Sequence, residues 1–178
     1  MKDDAAKKEL EHDIKEMTAM LNSYVSFVRG EAPETIENIN LNDLIKNICH
    51  SNFSNNHQIK DIHINNIETS GRPIQIKRAI QNIIDNAKRY ASEIRIEIYS
   101  SDYECFISIE DNGNGIPEKN YEDVFKPFFT LDPSRNKLKG ESGLGLTITR
   151  DIIRSHGGEI KLLKSKMGGL KSLISLPL

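Results

Sequence analysis

Leu10, Ile14, Met17, Leu21, Tyr24 and Val28 recur at alternating steps of four and three, the a/d stripe of a helix that seeks a partner helix. A helix lying on its own domain's core usually carries a wider apolar face, so this narrow stripe predicts one amphipathic pairing helix over residues 1–30. Residues 31–38 contain Pro33 and several acids, show neither helical nor strand periodicity, and read as a linker. The second unit spans 39–178. Its pattern predicts a helix over 41–51, a short strand over 62–67, and a longer helix over 73–90, where Pro73 suits a first helical turn. Ile94, Ile96 and Ile98, then Cys105, Ile107 and Ile109, alternate on either side of a Ser100-Ser101-Asp102 turn, as in a hairpin with one buried face. Residues 111–141 are polar and glycine-bearing, without a sustained period apart from the aromatic patch Phe125, Phe128 and Phe129; a loop of that length is more often functional than idle. A helix over 143–156 is stopped by Gly157-Gly158, and 159–164 pairs with 170–176 across Met167-Gly168-Gly169. The sum is an α+β unit with helices on one face of a mixed sheet, preceded by one amphipathic helix.

Composition narrows the function. At 178 residues and 37% hydrophobic content the chain can bury one sizeable core. Lys+Arg 24 against Asp+Glu 26 leaves a formal net charge of −2, which supplies no broad basic field for nucleic acid. Cys49 and Cys105 stand alone in apolar stretches, without the spacing of a zinc site or a disulfide framework, and are expected to be buried thiols in a reducing, cytoplasmic setting. No apolar run approaches the ~20 residues that span a bilayer.

Four clusters follow one another in the second unit: Asn82 to Tyr90 (NIIDNAKRY), Asp111 to Gly115 (DNGNG), Phe125 to Phe129 (FKPFF) and Gly140 to Leu146 (GESGLGL). In this order and spacing they resemble the N, G1, F and G2 boxes of the catalytic, ATP-binding domain of sensor histidine kinases. The resemblance covers about residues 40–178. Lys7 to Gly30 looks like the second helix of the dimerisation and phosphoacceptor domain that precedes this module in kinases of the osmosensor type. What the resemblance implies is a two-layer α/β sandwich of the Bergerat type, ATP and Mg²⁺ as cofactors, and a place in two-component signal transduction. It implies a homodimer or heterodimer through the N-terminal helix, a response regulator as downstream partner, and a parent kinase at the inner face of the membrane.

Each cluster has a physical reason to be there. Asn82 and Asn86 lie one helical turn apart, so both amides face one side, where a carbonyl oxygen can join phosphate oxygens and waters around Mg²⁺; by resemblance Asn86 is the metal ligand. Ile80, Ile83, Ile84 and Ala87 place this helix against a core rather than leaving it wholly solvated. Arg89 can offer phosphates a planar fork of donors, and Tyr90 can stack on a purine. Asp111 directly follows a strand, where a semi-buried carboxylate accepts from an exocyclic amine and rejects guanine's carbonyl; the family makes this adenine contact. Gly113 and Gly115 allow close backbone approach to a base. Gly143-Leu144-Gly145 opens a helix whose free amides and positive dipole end suit a polyphosphate, with Ser142 beside them. Phe125 and Phe128 are expected to anchor a lid over the nucleotide, or simply to anchor a loop. Where the family usually has a glycine two places before Gly143, this chain has Glu141, with Gly140 displaced by one position.

The reaction class turns on Asn82. ATPases of related fold place a glutamate one turn before the metal-binding asparagine to activate water, and an amide cannot take that proton. Phosphoryl transfer to an external nucleophile is therefore favoured over hydrolysis, and in histidine kinases that nucleophile is a neutral imidazole. The family's phosphoacceptor box is absent: His12-Asp13 is followed by no Arg-Thr-Pro, and its heptad place matches the second helix of the hairpin. The acceptor histidine is then expected on a helix of a partner or parent kinase. Two other classes share these features: a non-catalytic nucleotide-binding regulator or truncated remnant that pairs with a kinase, and a serine kinase of the anti-sigma-factor type, which the heptad-bearing helix disfavours.

Overall fold

The computed structural model describes residues 14, 34–52, 58–64, 66–131 and 143–178. The N-terminal pairing helix, apart from Ile14, lies outside the described residues, as do Gly140, Glu141 and Ser142.

In chain order the elements are β1 (Glu37–Asn40), α1 (Leu41–Asn52), β2 (Gln58–Ile64), β3 (Glu68–Gly71), α2 (Pro73–Tyr90), β4 (Glu93–Ser100), β5 (Glu104–Asp111), α3 (Gly145–Ser155), β6 (Glu159–Lys164) and β7 (Leu170–Pro177), with two short 3-10 turns between β5 and α3. Five strands form one sheet in the order β2-β4-β5-β7-β6; β2 runs parallel to β4 and every other pairing is antiparallel. β1 and β3 pair separately as a small antiparallel ribbon.

One core explains the arrangement. α2 buries Ile76, Ala79, Ile80, Ile83, Ile84 and Ala87, a stripe at helical spacing. Opposite it, β4 buries Ile94, Ile96 and Ile98, while β5 offers Cys105, Ile107 and Ile109 and β7 offers Ile174 and Leu176. These side chains alternate along their strands, so one face of the sheet meets the helices and the other carries the charged positions. α3 completes the helical layer with Ile148, Ile152 and Ile153. Both cysteines are buried and free, and burial pushes their thiols up. Among the described residues no helix is long and apolar enough to cross a membrane.

The expected helix over 73–90 and the two hairpins stand where their periodicity places them. Two expectations require correction, and one element is new. The strand expected over 62–67 is shifted to Gln58–Ile64, because its pairing with β4 starts at Gln58 opposite Glu93. The ribbon β1–β3 was not anticipated. The linker expected over 31–38 gives way to β1 at Glu37, and Glu34 already belongs to the fold: its carboxylate accepts from the amides of Ile74 and Gln75. It thereby satisfies free donors at the start of α2. At the same pole, Nε2 of His156 accepts from the Arg72 backbone amide at 3.0 Å and from Arg72 Nε at 3.3 Å, joining the start of α2 to the end of α3.

Truncating a fully buried core side chain tests this packing. Ile80→Ala should lower the unfolding free energy by about 2–5 kcal/mol, read from the midpoint and slope of urea denaturation.

Candidate nucleotide site

A cavity of about 480 Å³ opens where the C-terminal half of α2 faces the ends of β5 and β7, within the range of ordinary ligand pockets. α2 supplies one wall with Asn82, Asn86, Arg89 and Tyr90. Ile109 and Asp111 come from β5, Gly115 and Ile116 from the loop that follows, and Leu170 and Ser172 from β7. Gly143, Gly145 and Leu146 close the end at the start of α3.

Asp111 is held from one side by backbone amides. Its Oδ1 accepts from the Gly113 amide at 2.8 Å and from the Leu170 amide at 3.2 Å, while Oδ2 has no donor among the described residues. Burial pushes its carboxyl above the ordinary aspartate range, against the opposing pull of those two amides. Gly113 does not line the cavity. A Cβ there would lie 2.6 Å from the Tyr90 carbonyl oxygen and 3.0 Å from Asp111 Oδ1, so glycine is what lets this loop close against the end of α2. Gly115 does line the cavity, with φ 65.

On the opposite wall the two asparagines differ. Asn82 Nδ2 donates to the Gly145 carbonyl at 3.2 Å and to Thr149 Oγ1 at 3.4 Å, so it braces α2 against α3 as well as lining the cavity. Asn86, one turn on, lines the same wall and its side-chain amide has no partner among the described residues. The N-terminus of α3 faces this wall, and no side chain among the described residues caps it, an arrangement suited to an anion. Leu144, at the cap position, is itself buried and outside the lining. Among the described residues no group of three or more His, Cys, Asp or Glu could hold a metal.

The aromatic patch divides by orientation. Phe125 is buried away from the cavity: the Arg150 guanidinium lies 3.9 Å from its ring centroid, and its carbonyl accepts from Thr147 Oγ1 at 2.9 Å. Phe128 is 54% exposed and sits at φ 62, an uncommon conformation for a bulky residue. Its amide donates to the Gly143 carbonyl at 3.1 Å. Neither ring lines the cavity; Phe129, Thr130 and Leu131 do. Phe125 and Phe128 thus anchor the root of the loop to α3. Of the other expected site residues, Ser142 is outside the described set, Gly113 and Leu144 stand beside the cavity without lining it, and Asn82, Asn86, Arg89, Tyr90, Asp111, Gly115, Gly143 and Gly145 converge on it. Leu170 and Ser172 escaped notice because only the pairing of β7 with β5 brings them there; the strand alternation that continues through Ile174 and Leu176 was the available signal.

The family described as "Histidine kinase-, DNA gyrase B-, and HSP90-like ATPase" matches residues 71–178. Sensor histidine kinase GtrS of Pseudomonas aeruginosa is 28% identical over 179 residues, covering 99% of this chain and 37% of GtrS. Sensor histidine kinase CpxA of Escherichia coli is 37% identical over 110 residues, covering 61% of this chain and 24% of CpxA. The chain therefore spans well under half the length of these curated relatives. Among solved structures, the ATP-binding domain of PrrB from Mycobacterium tuberculosis superposes with a TM-score of 0.66 at 25% identity, over 80% of this chain and 96% of that one. The mycobacterial sensor histidine kinase MprB shares the fold, with a TM-score of 0.69 at 23% identity over 80% and 97% of the two chains. With more than half of its length matched, and its cavity built from the same ordered clusters, the chain belongs to the histidine kinase-, DNA gyrase B- and HSP90-like ATPase family.

Proposed function

We propose that this chain is the ATP-binding catalytic unit of a two-component sensor histidine kinase and serves transfer of the γ-phosphoryl group to a histidine on a separate helix. The observation that carries the reading is a cavity that combines a buried carboxylate at one end with, at the other, a helix N-terminus and an asparagine to which no side chain among the described residues bonds.

In this reading Asp111 Oδ2 accepts from the exocyclic amine of adenine while Oδ1 stays held by its two backbone amides. Tyr90 and Ile116 border the base. Arg89 and the amides at the start of α3 take up phosphate charge. The Asn86 side-chain oxygen suits Mg²⁺, a hard cation that favours oxygen donors and keeps most of its shell as water and phosphate. When bound, Mg²⁺ would neutralise charge between the β- and γ-phosphates. The neutral acceptor imidazole forms a bond to the γ-phosphorus as the bond from that phosphorus to the β–γ bridging oxygen breaks. ADP then departs with that electron pair. Asn82 offers water no general base, since an amide cannot take a proton as a carboxylate can and its donor group is already committed to Gly145. In the same reading the dimer partner belongs to the parent kinase, and the response regulator is a separate downstream partner.

Titration calorimetry with Mg²⁺-ATP, paired with incubation in ATP labelled at the γ-phosphate, tests the proposal. The expected result is binding with little free phosphate released, and acid-labile, alkali-stable label only on an added histidine-bearing helix. Rapid phosphate release by the chain alone overturns it. Asn86→Ala should weaken Mg²⁺-dependent ATP binding by about tenfold or more while leaving metal-free binding nearly unchanged, consistent with loss of a ligand to the ion. Asp111→Asn should cost about 10- to 100-fold in ATP affinity, the scale of a hydrogen bond to a charged group, and should remove the preference over GTP.

The raised carboxyl of Asp111 also fixes a pH dependence. A carboxyl raised in the fold favours the folded state below its unfolded value, and that contribution is lost as pH rises through the folded value. At neutral pH the ionised group therefore costs stability, and Asp111→Asn should raise the melting temperature of the ligand-free chain at pH 7. ATP affinity should begin to fall, as pH is lowered, before an ordinary aspartate would protonate. Calorimetry and thermal melts across pH 4–7 check both directions.

A further inference from the structure

Glu110 and Asp111 are neighbours on β5, so their side chains leave opposite faces of the sheet. Asp111 meets the cavity. Glu110 is only 4% exposed on the other face, an unusual place for a carboxylate unless it is paired. Its Oε1 accepts from Lys171 Nζ at 3.1 Å, and its Oε2 accepts from Ser165 Oγ at 3.0 Å and from the Lys166 amide at 3.2 Å. Arg95 stands directly across from it on β4.

Ser165 and Lys166 belong to the turn between β6 and β7, and Lys171 is the second residue of β7. The Ser165 amide donates to the Gly169 carbonyl at 3.0 Å, and the Gly168 amide to the Ser165 carbonyl at 3.2 Å, which closes the turn. The far side of the same turn holds Asp111: the Gly169 amide donates to the Asp111 carbonyl at 3.1 Å, and the Leu170 amide to Asp111 Oδ1 at 3.2 Å. A Cβ at Gly169 would lie 2.1 Å from Asp111 Oδ1 and 2.5 Å from the Gly113 nitrogen, so the turn approaches the carboxylate more closely than any side-chain-bearing residue permits. One turn thus grips two successive residues of β5, by charge on the outer face and by backbone amides on the inner one.

We infer that the cluster of buried Glu110 and Ser165 with half-buried Lys171 is a positioning device for Asp111, setting base selectivity from behind the strand. The inference rests on the reading of the cavity as an adenine site. Lys171 and Ser165 hold the turn to Glu110, the turn holds Asp111 Oδ1, and Oδ2 is left in one orientation for the base. Burial raises the Glu110 carboxyl, but hydrogen bonds from Lys171, Ser165 and the Lys166 amide outweigh it and hold the group below its usual range. Its electrostatic support is lost only as pH falls through that lowered value.

The test compares Mg²⁺-ATP and Mg²⁺-GTP affinities of the full chain in Lys171→Met, Glu110→Gln, Ser165→Ala and Lys171→Arg, with Asp111→Asn as reference and a thermal melt for each. Loosening the turn should reduce ATP affinity by about three- to tenfold, the scale of one net hydrogen bond, with GTP affinity unchanged, so that the ATP:GTP ratio falls by the same factor. Lys171→Arg, which keeps the cation, should preserve the ratio. Equal losses for both nucleotides, or a lower melting temperature with an unchanged ratio, would mean that the cluster only stabilises the fold and would overturn the inference. If Asp111→Asn moves the ratio and the cluster variants do not, the positioning role alone is overturned. If Asp111→Asn leaves the ratio unchanged, the base-reading role of Asp111 falls, and the cluster's role falls with it.

Discussion

The apolar stripe of α2 decides where the polar groups of the cavity stand. Ile76, Ala79, Ile80, Ile83, Ile84 and Ala87 are buried against the sheet, and each fully buried branched side chain contributes roughly 1.5–3 kcal/mol. Rotating the helix would expose several of them at once. With that face committed to the core, Asn82 and Asn86 are held at the edge of the stripe, where they look across the sheet ends rather than into solvent. The helix is locked at its start as well, by the Glu34 carboxylate and by the contact of Arg72 with His156.

The sheet imposes the complementary constraint. Because neighbouring residues of β5 face opposite ways, one step along the strand separates a residue of the cavity from one of the charged outer face. The strand residues of the cavity all come from the helix-facing side. Strand β7 contributes Leu170 and Ser172 to the cavity and Lys171, between them, to the outer face, so a three-residue segment is read in two directions.

Much of this was legible from residue order. The stripe of α2, the alternation of Ile94 to Ile98, and the ordered asparagine and glycine clusters depend on local spacing, which sequence displays directly. β1 (ENIN) and β3 (ETSG) offered no such signal: each is four residues long, and together they are held by pairing across about thirty positions and by side-chain contacts such as Asn38 to Glu68. The choice between Phe128 and Phe129 as cavity residue was equally hidden, because it follows from the positive φ at Phe128, which turns the first ring outward and the second inward. Long-range pairing and single backbone angles leave no periodic trace.

The brace at Asn82 has an evolutionary consequence. Its amide nitrogen gives a hydrogen to the Gly145 carbonyl, something a glutamate at that position could not do, since an ionised carboxylate only accepts. A lineage that acquired the glutamate of the hydrolytic relatives would bring two oxygens together across the helix junction and loosen the end of α3 that borders the cavity. Residue 82 and the start of α3 are thus tied to change together, since a carboxylate at 82 would call for a new donor on the α3 side.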